Sequence, residues 1–310
     1  MIAMPPTQDL VVTDAGLETW LVFDRSVELN AFAAYPLAGT TEGRMLLTEY
    51  FEGFVDIAEA TGAALVLEAP TWRANPEWAA SLGHDNDELA HLIRASVDVV
   101  DEVRRNRPAV GPFLVGGAIG PRGDGYVVDR AMSADQAAEY HSFQIGVLAA
   151  TPTDVVTAMT LAYVDEAIGI SRAAAASGLP AVISFTVETD GRLPTGISLR
   201  DAIEQTDEAT NGYPTHYMVN CAHPTHFDHV LVEGGTWTSR IGAVRANASM
   251  LSHAELDEAT VLDDGDPSDL AARYLRLRDA LPSLHVVGGC CGTDHRHVAA
   301  IATAFAGPVA

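Results

Sequence analysis

A chain of 310 residues with 48% hydrophobic content can bury a large core, as one large α/β domain or two ordinary ones, and is too apolar for a disordered or fibrous protein. Its formal net charge of −24 argues against nucleic acid and an anionic membrane surface as partners, because both would repel it overall. Three cysteines are too few for a disulfide framework, which leaves metal binding, catalysis or plain burial as their uses.

The first residues, MIAMPPTQDL, lack the basic start and long apolar core of a signal peptide. No later apolar run reaches the roughly 18 residues that span a bilayer. The expectation is a soluble, cytoplasmic protein. Its first apolar run, LVVTDAG (10–16), reads as a strand with Asp14 near its end, and 44–62 then carries helical spacing up to Gly62. A second strand, ALVLEAP (64–70), holds Glu68, and a helix at 86–106 follows. FLVGGAIG (113–120) leads to a helix at 133–150, which opens on a capping box of Ser133 with Gln136. DVVTAMTL (154–161) carries Met159 and precedes a helix at 164–178 that closes on Gly178. The remaining strands are AVISFTV (181–187), HYMVNCA (216–222), IGAVRAN (241–247) and HVVGGCCG (285–292), and 248–267 reads as a long loop or a short extra helix.

Strand and helix therefore alternate throughout, with no linker, no low-complexity segment and no repeat beyond the βα unit. Near-continuous apolar strands joined by helices specify a parallel sheet, and eight units suit a single-domain α/β (β/α)₈ TIM barrel over 1–310. A doubly wound open sheet fits less well, since no G-x-G-x-x-G turn follows the first strand.

In such a barrel the active site lies at the carboxyl ends of the strands. All three cysteines fall there: Cys221 at the sixth strand, Cys290 and Cys291 at the eighth. Three thiols converging from two strands match zinc and leave a fourth tetrahedral position open to a substrate. Burial as core residues is the plainer use of any one cysteine. A second candidate ligand set is His223, His226 and His229, although AHPTHF reads as a loop entering a helix. A zinc held by three thiolates is a poor Lewis acid for making hydroxide but would ionise a fourth thiol, which suits alkyl transfer to sulfur from a sulfonium or ammonium donor.

These residues resemble the zinc-dependent homocysteine S-methyltransferases. GGCCGTDHRHV (288–298) is similar to the paired-cysteine motif of that family and VNCAHP (219–224) to the motif of its first zinc ligand. Weaker likenesses are TDAGLET (13–19), GAIGPRGDGY (117–126) and VISFTVETDGRLPTGISLRDAI (182–203). The resemblance implies a barrel with Zn2+ on Cys221, Cys290 and Cys291, and Asn220 and Thr293 beside these ligands. It implies methyl transfer from an S-methylmethionine, S-adenosylmethionine or betaine type of donor to homocysteine, as in methionine biosynthesis. A different thiol acceptor, or a zinc hydrolase on the same barrel, is the alternative, and a homo-oligomer is left open.

Two departures from the family bear on recognition. Met159-Thr160 stands where many relatives have Glu-Thr, whose glutamate holds the amino group of homocysteine, and LEAPTWRA (67–74) replaces a Thr-x-Thr-Tyr pattern. Either another carboxylate supplies the lost charge, with Glu68 and Asp14 best placed, or the acceptor lacks that ammonium. Asp14 either contacts such an ammonium or caps its turn. Trp72 and Trp78 either meet a cationic donor through their faces or pack a loop on the rim. ETDGRLPTG (188–196) is a turn-rich loop and a candidate lid.

Overall fold

The computed structural model describes residues 9–108 and 110–307. Eight strands close into a parallel barrel in chain order: β1 (Val11–Thr13), β2 (Ala64–Ala69), β3 (Phe113–Ile119), β4 (Val155–Leu161), β5 (Ala181–Phe185), β6 (His216–Asn220), β7 (Ile241–Ala246) and β8 (Val286–Gly289). β8 returns to β1 through Val11 opposite Val286 and Val12 opposite Val287. The TIM-barrel expectation holds.

Every strand residue is buried, and the two-residue alternation of a strand divides them between two cores. Val11, Val66, Leu114, Val155, Val182 and Val286 fill the barrel interior. Val12, Leu65, Leu67 and Val115 point outward into the layer beneath the helices. Burial on both faces is why these runs read as continuously apolar.

A helix follows each strand: α1 (Thr41–Thr61), α2 (Asn86–Asn106), α3 (Ala134–Ala149), α4 (Val164–Ser177), α5 (Leu199–Thr210), α6 (Asp228–Leu231), α7 (Pro267–Ala280) and α8 (His295–Ala306). α1 starts three residues before the apolar pattern does, because the Thr40 side chain accepts a hydrogen bond from the Gly43 amide and caps the helix there. The Ser133–Gln136 capping box is formed, and Gly62 and Gly178 end their helices at φ of 69° and 71°. α6 is a single turn, since 224–226 ahead of it is a 3-10 turn. The segment 248–267 contains both a loop and a short helix, His253–Glu258, started by a Ser252–Glu255 capping box. No helix among the described residues is long and apolar enough to cross a membrane.

α3 and α4 pack at a glycine. A Cβ at Gly169 would stand 2.6 Å from the Ala138 amide and 2.7 Å from the Ala134 carbonyl, whereas a Cβ at the exposed Gly146 would meet nothing within 4 Å. Gly169→Ala should therefore lower the denaturant midpoint by the equivalent of about 1–3 kcal/mol through overpacking. Gly146→Ala should raise it by about 0.5–1 kcal/mol through helix propensity. Equal effects of the two changes would show that the helix pair separates freely.

Candidate active site

The strands stop just short of the residues that carry the chemistry. Cys221 follows β6 with φ of 54°, in the left-handed region, so the ladder breaks at the cysteine itself. Thr160, inside β4, is also left-handed at φ of 64°. Neither is glycine or asparagine, and each such residue costs about 1–3 kcal/mol, which its surroundings must offset.

Asn220 holds both. Its Oδ1 accepts from the Thr160 amide at 2.8 Å and from the Ser184 hydroxyl, while its Nδ2 donates to Thr160 Oγ1 at 2.9 Å. The same Nδ2 lies 3.8 Å from Cys290 Sγ. On the other side of Cys221, its amide donates to the Arg245 carbonyl, and its own carbonyl accepts from His253 Nε2 at 2.6 Å. His253 stacks on Tyr126 with ring centroids 4.0 Å apart. Burial, and then the Cys221 sulfur beside it, push the Tyr126 phenol well above its ordinary range.

The sulfur atoms of Cys221, Cys290 and Cys291 all lie within 4.8 Å of one another, with 3.7 Å between Cys221 and Cys291. They face a cavity of about 470 Å³ at the carboxyl end of the barrel. Thr293 does not line this cavity. Its hydroxyl donates to the Cys290 carbonyl at 2.6 Å, so it shapes the turn that aims the paired cysteines. Gly16 supports the same turn, because a Cβ there would stand 2.5 Å from the Cys290 carbonyl oxygen.

Below the cysteines lie two buried carboxylates and a guanidinium. Asp14 pairs with Arg245 at 2.6 Å, and Arg245 also donates to the carbonyls of Gly289 (2.9 Å) and Ala15 (3.1 Å). Burial outweighs that pairing and pushes the Asp14 carboxyl up to about 6. Glu68 points into the barrel opposite Gly116, where any Cβ would collide with its carboxylate. Thr157 donates to Glu68 Oε1 at 2.6 Å, and Oε2 has no partner. Burial pushes Glu68 up to about 7. Met159 lines the cavity from the interior core beside Trp72, whose indole N–H donates to the Met159 carbonyl at 3.2 Å.

The structure decides three readings that the sequence left open. His223, His226 and His229 do not line the cavity. His223 bonds Thr225 at 2.8 Å, His226 the Met250 carbonyl at 3.0 Å and His229 the Asp190 carbonyl at 3.3 Å. The turn-rich loop 188–196 also lines no part of it. That loop folds back on itself through Arg192 and Ser198 and packs at Gly191 against Val230. Trp72 does line the cavity but Trp78 does not, and one face of each ring is taken by Arg73 at 4.1 Å.

Arg73, Tyr126, Arg245 and His253 were missed in the sequence. Arg245 had a signal, a lone charge inside the apolar run IGAVRAN. Tyr126 and His253 sit in loops without periodicity, where only the fold brings them to the cysteines.

Homocysteine S-methyltransferase 4 of Zea mays is 28% identical over 270 residues, covering 81% of this chain and 77% of that protein. Among solved structures, the Escherichia coli homocysteine methyltransferase MmuM in its metallated form shares the fold with a TM-score of 0.74 at 22% identity, covering 95% of this chain and 96% of that one. Its oxidized form gives a TM-score of 0.75 at 21% identity, covering 95% of each chain. Residues 11–305 match the homocysteine S-methyltransferase family, and the chain belongs to that family of methyltransferases.

Proposed function

We propose that this chain is a zinc-dependent S-methyltransferase that moves a methyl group from a sulfonium or ammonium donor to homocysteine, giving methionine. The observation that carries this reading is the meeting of Cys221, Cys290 and Cys291 at the cavity. A donor set of three sulfurs without histidine or carboxylate suits zinc and leaves one tetrahedral position for a substrate. Hydrogen bonds from Cys290 and then Cys291 hold the Cys221 thiol well below its ordinary range, and Cys221 in turn pushes Cys290 up to about 12. Sulfurs this close share little negative charge among themselves unless a cation joins them. Bound there, zinc would supply the acceptor's sulfur as a thiolate at neutral pH.

A lone pair of that sulfur forms the new S–CH₃ bond as the methyl's bond to the donor breaks. The released electron pair stays on the donor's sulfur or nitrogen, so the donor leaves neutral and no general acid is required. The chain's part is to place the two reactants. Asn220 fixes the backbone that presents Cys221 and orients its own amide toward Cys290. With Asp14 held by Arg245, the unpartnered Oε2 of Glu68 is the group to receive an acceptor ammonium in place of the missing family glutamate at Met159.

Purified protein should hold about one zinc per chain, and Cys221→Ala or Cys290→Ala should lower that occupancy sharply while the barrel stays folded. Metal analysis beside circular dichroism checks this. Stoichiometric metal surviving the loss of all three cysteines would overturn it.

Recognition of the ammonium is tested by comparing homocysteine with its deaminated analogue, 4-mercaptobutyrate. Glu68→Gln should cut the kcat/KM preference for homocysteine by about 10–100-fold, and Met159→Glu should raise it. One and the same preference in all three proteins would show that neither position reads the amino group.

Burial of Glu68 gives a pH test. Glu68 ionises near 4.5 in the unfolded chain but near 7 when folded, so the fold binds this proton more tightly and loses stability as pH rises through that window. Glu68→Gln has no proton to lose. Its stability relative to the wild type should improve by roughly 3 kcal/mol between pH 4.5 and 7.5, measured by denaturant titration. A difference that does not vary with pH would show that burial leaves Glu68 unperturbed.

A further inference from the structure

Arg73 takes no part in the sulfur chemistry of the cysteines. It follows β2 in TWRANPEW, is 8% exposed and lines the cavity. Its guanidinium carbon lies over two indoles, 4.1 Å from the Trp72 ring and 4.1 Å from the Trp78 ring. Nη1 donates to the Gly123 carbonyl at 2.9 Å, Nε has no partner, and among the described residues Nη2 makes no hydrogen bond. No described carboxylate forms an ion pair with it: Asp124, the strongest of the charges that favour its cation, does so from beyond ion-pair distance.

A guanidinium stacked against two indoles meets a further ligand through its edges. One edge is taken by Gly123. The free edge, Nε with Nη2, is the fork that accepts the two oxygens of a carboxylate side by side, and lysine cannot reproduce it. The indoles fix the plane of this fork before any ligand arrives, so little rotamer entropy is lost on binding. Trp72 is itself anchored on the Met159 carbonyl, which ties the fork to the strand end beside the cysteines.

We propose that Arg73 is the carboxylate receptor of the substrate pocket, clamping the α-carboxylate of an amino-acid substrate through Nε and Nη2. This rests on the reading above that the pocket takes amino-acid thiols or their methylated forms. Both the acceptor and an S-methylmethionine type of donor carry that group, and the test separates them. With Glu68 for the ammonium and the thiols for the sulfur, Arg73 supplies the third point of contact and so distinguishes an amino acid from a simple amine.

The test measures equilibrium binding by calorimetry, and KM in turnover, for two matched pairs. The acceptor pair is homocysteine and 3-mercaptopropylamine, which lacks the carboxylate. The donor pair is S-methylmethionine and (3-aminopropyl)dimethylsulfonium. In Arg73→Met, which keeps an unbranched side chain against the indoles, one carboxylate-bearing ligand should weaken by about 30-fold or more while its decarboxylated partner changes less than about twofold. Arg73→Lys should recover only part of the loss, because it restores charge without the fork. The pair that responds identifies which substrate Arg73 holds. Equal weakening of both members in both pairs would assign Arg73 to holding the loop together, and unchanged binding of all four would leave it without a ligand; either result overturns the proposal. Carboxylate-selective binding without any methyl transfer would uphold Arg73's role and count against the methyltransferase reading instead.

Discussion

Arg245 is the constraint on which the barrel mouth depends. Its strand, β7, runs between the two strands that deliver cysteines, and its side chain reaches from the Gly289 carbonyl ahead of Cys290 to Ala15 and Asp14 at the end of β1. The Arg245 carbonyl receives the Cys221 amide. One buried residue thus sets the relative positions of three strand ends through its backbone and its guanidinium together. A buried ion pair of this kind adds little net stability, because desolvation consumes most of the attraction, but removing one partner leaves the other charge stranded. Its role is better understood as geometric than as adhesive.

The strain at the mouth follows from the same need. A cysteine leaving a parallel strand in extended conformation would continue along the barrel wall, but at φ of 54° Cys221 turns inward toward Cys291. The Arg245 carbonyl and His253 hold that turn from both sides, and Asn220 ahead of it is fixed on Thr160. Strain stored beside a reactive group and restrained by hydrogen bonds is characteristic of functional sites, where the position of an atom matters more than the comfort of the backbone.

Charge in the cavity is distributed with a purpose that the net acidity of the chain conceals. Asp14 is neutralised by Arg245, and Glu68 keeps one free oxygen with its carboxyl pushed to about 7. Glu18, also lining the cavity, is pushed by burial to about 7. Arg73 stands apart from all three, with no acid among the described residues within ion-pair distance. An amino acid carries one charge of each sign, and a pocket that separates an acceptor of positive charge from a donor to negative charge is complementary to that arrangement.

The amino-acid sequence by itself determined the barrel, the capped helices and the convergence of three cysteines. Each rests on short-range physics: apolar runs buried on both faces, Ser133 beside Gln136, and the rule that residues after strands in a barrel share one rim. It left the uses of the tryptophans and of the histidines open, because neither periodicity nor composition says which loop residue turns inward. Only the tertiary structure decided that Asp14 is occupied by Arg245, that Glu68 keeps a free oxygen beside Gly116, and that His253 and Tyr126 close over Cys221. Those contacts join residues on different strands and loops, brought together by barrel closure, and nothing local in the chain encodes a distance between them.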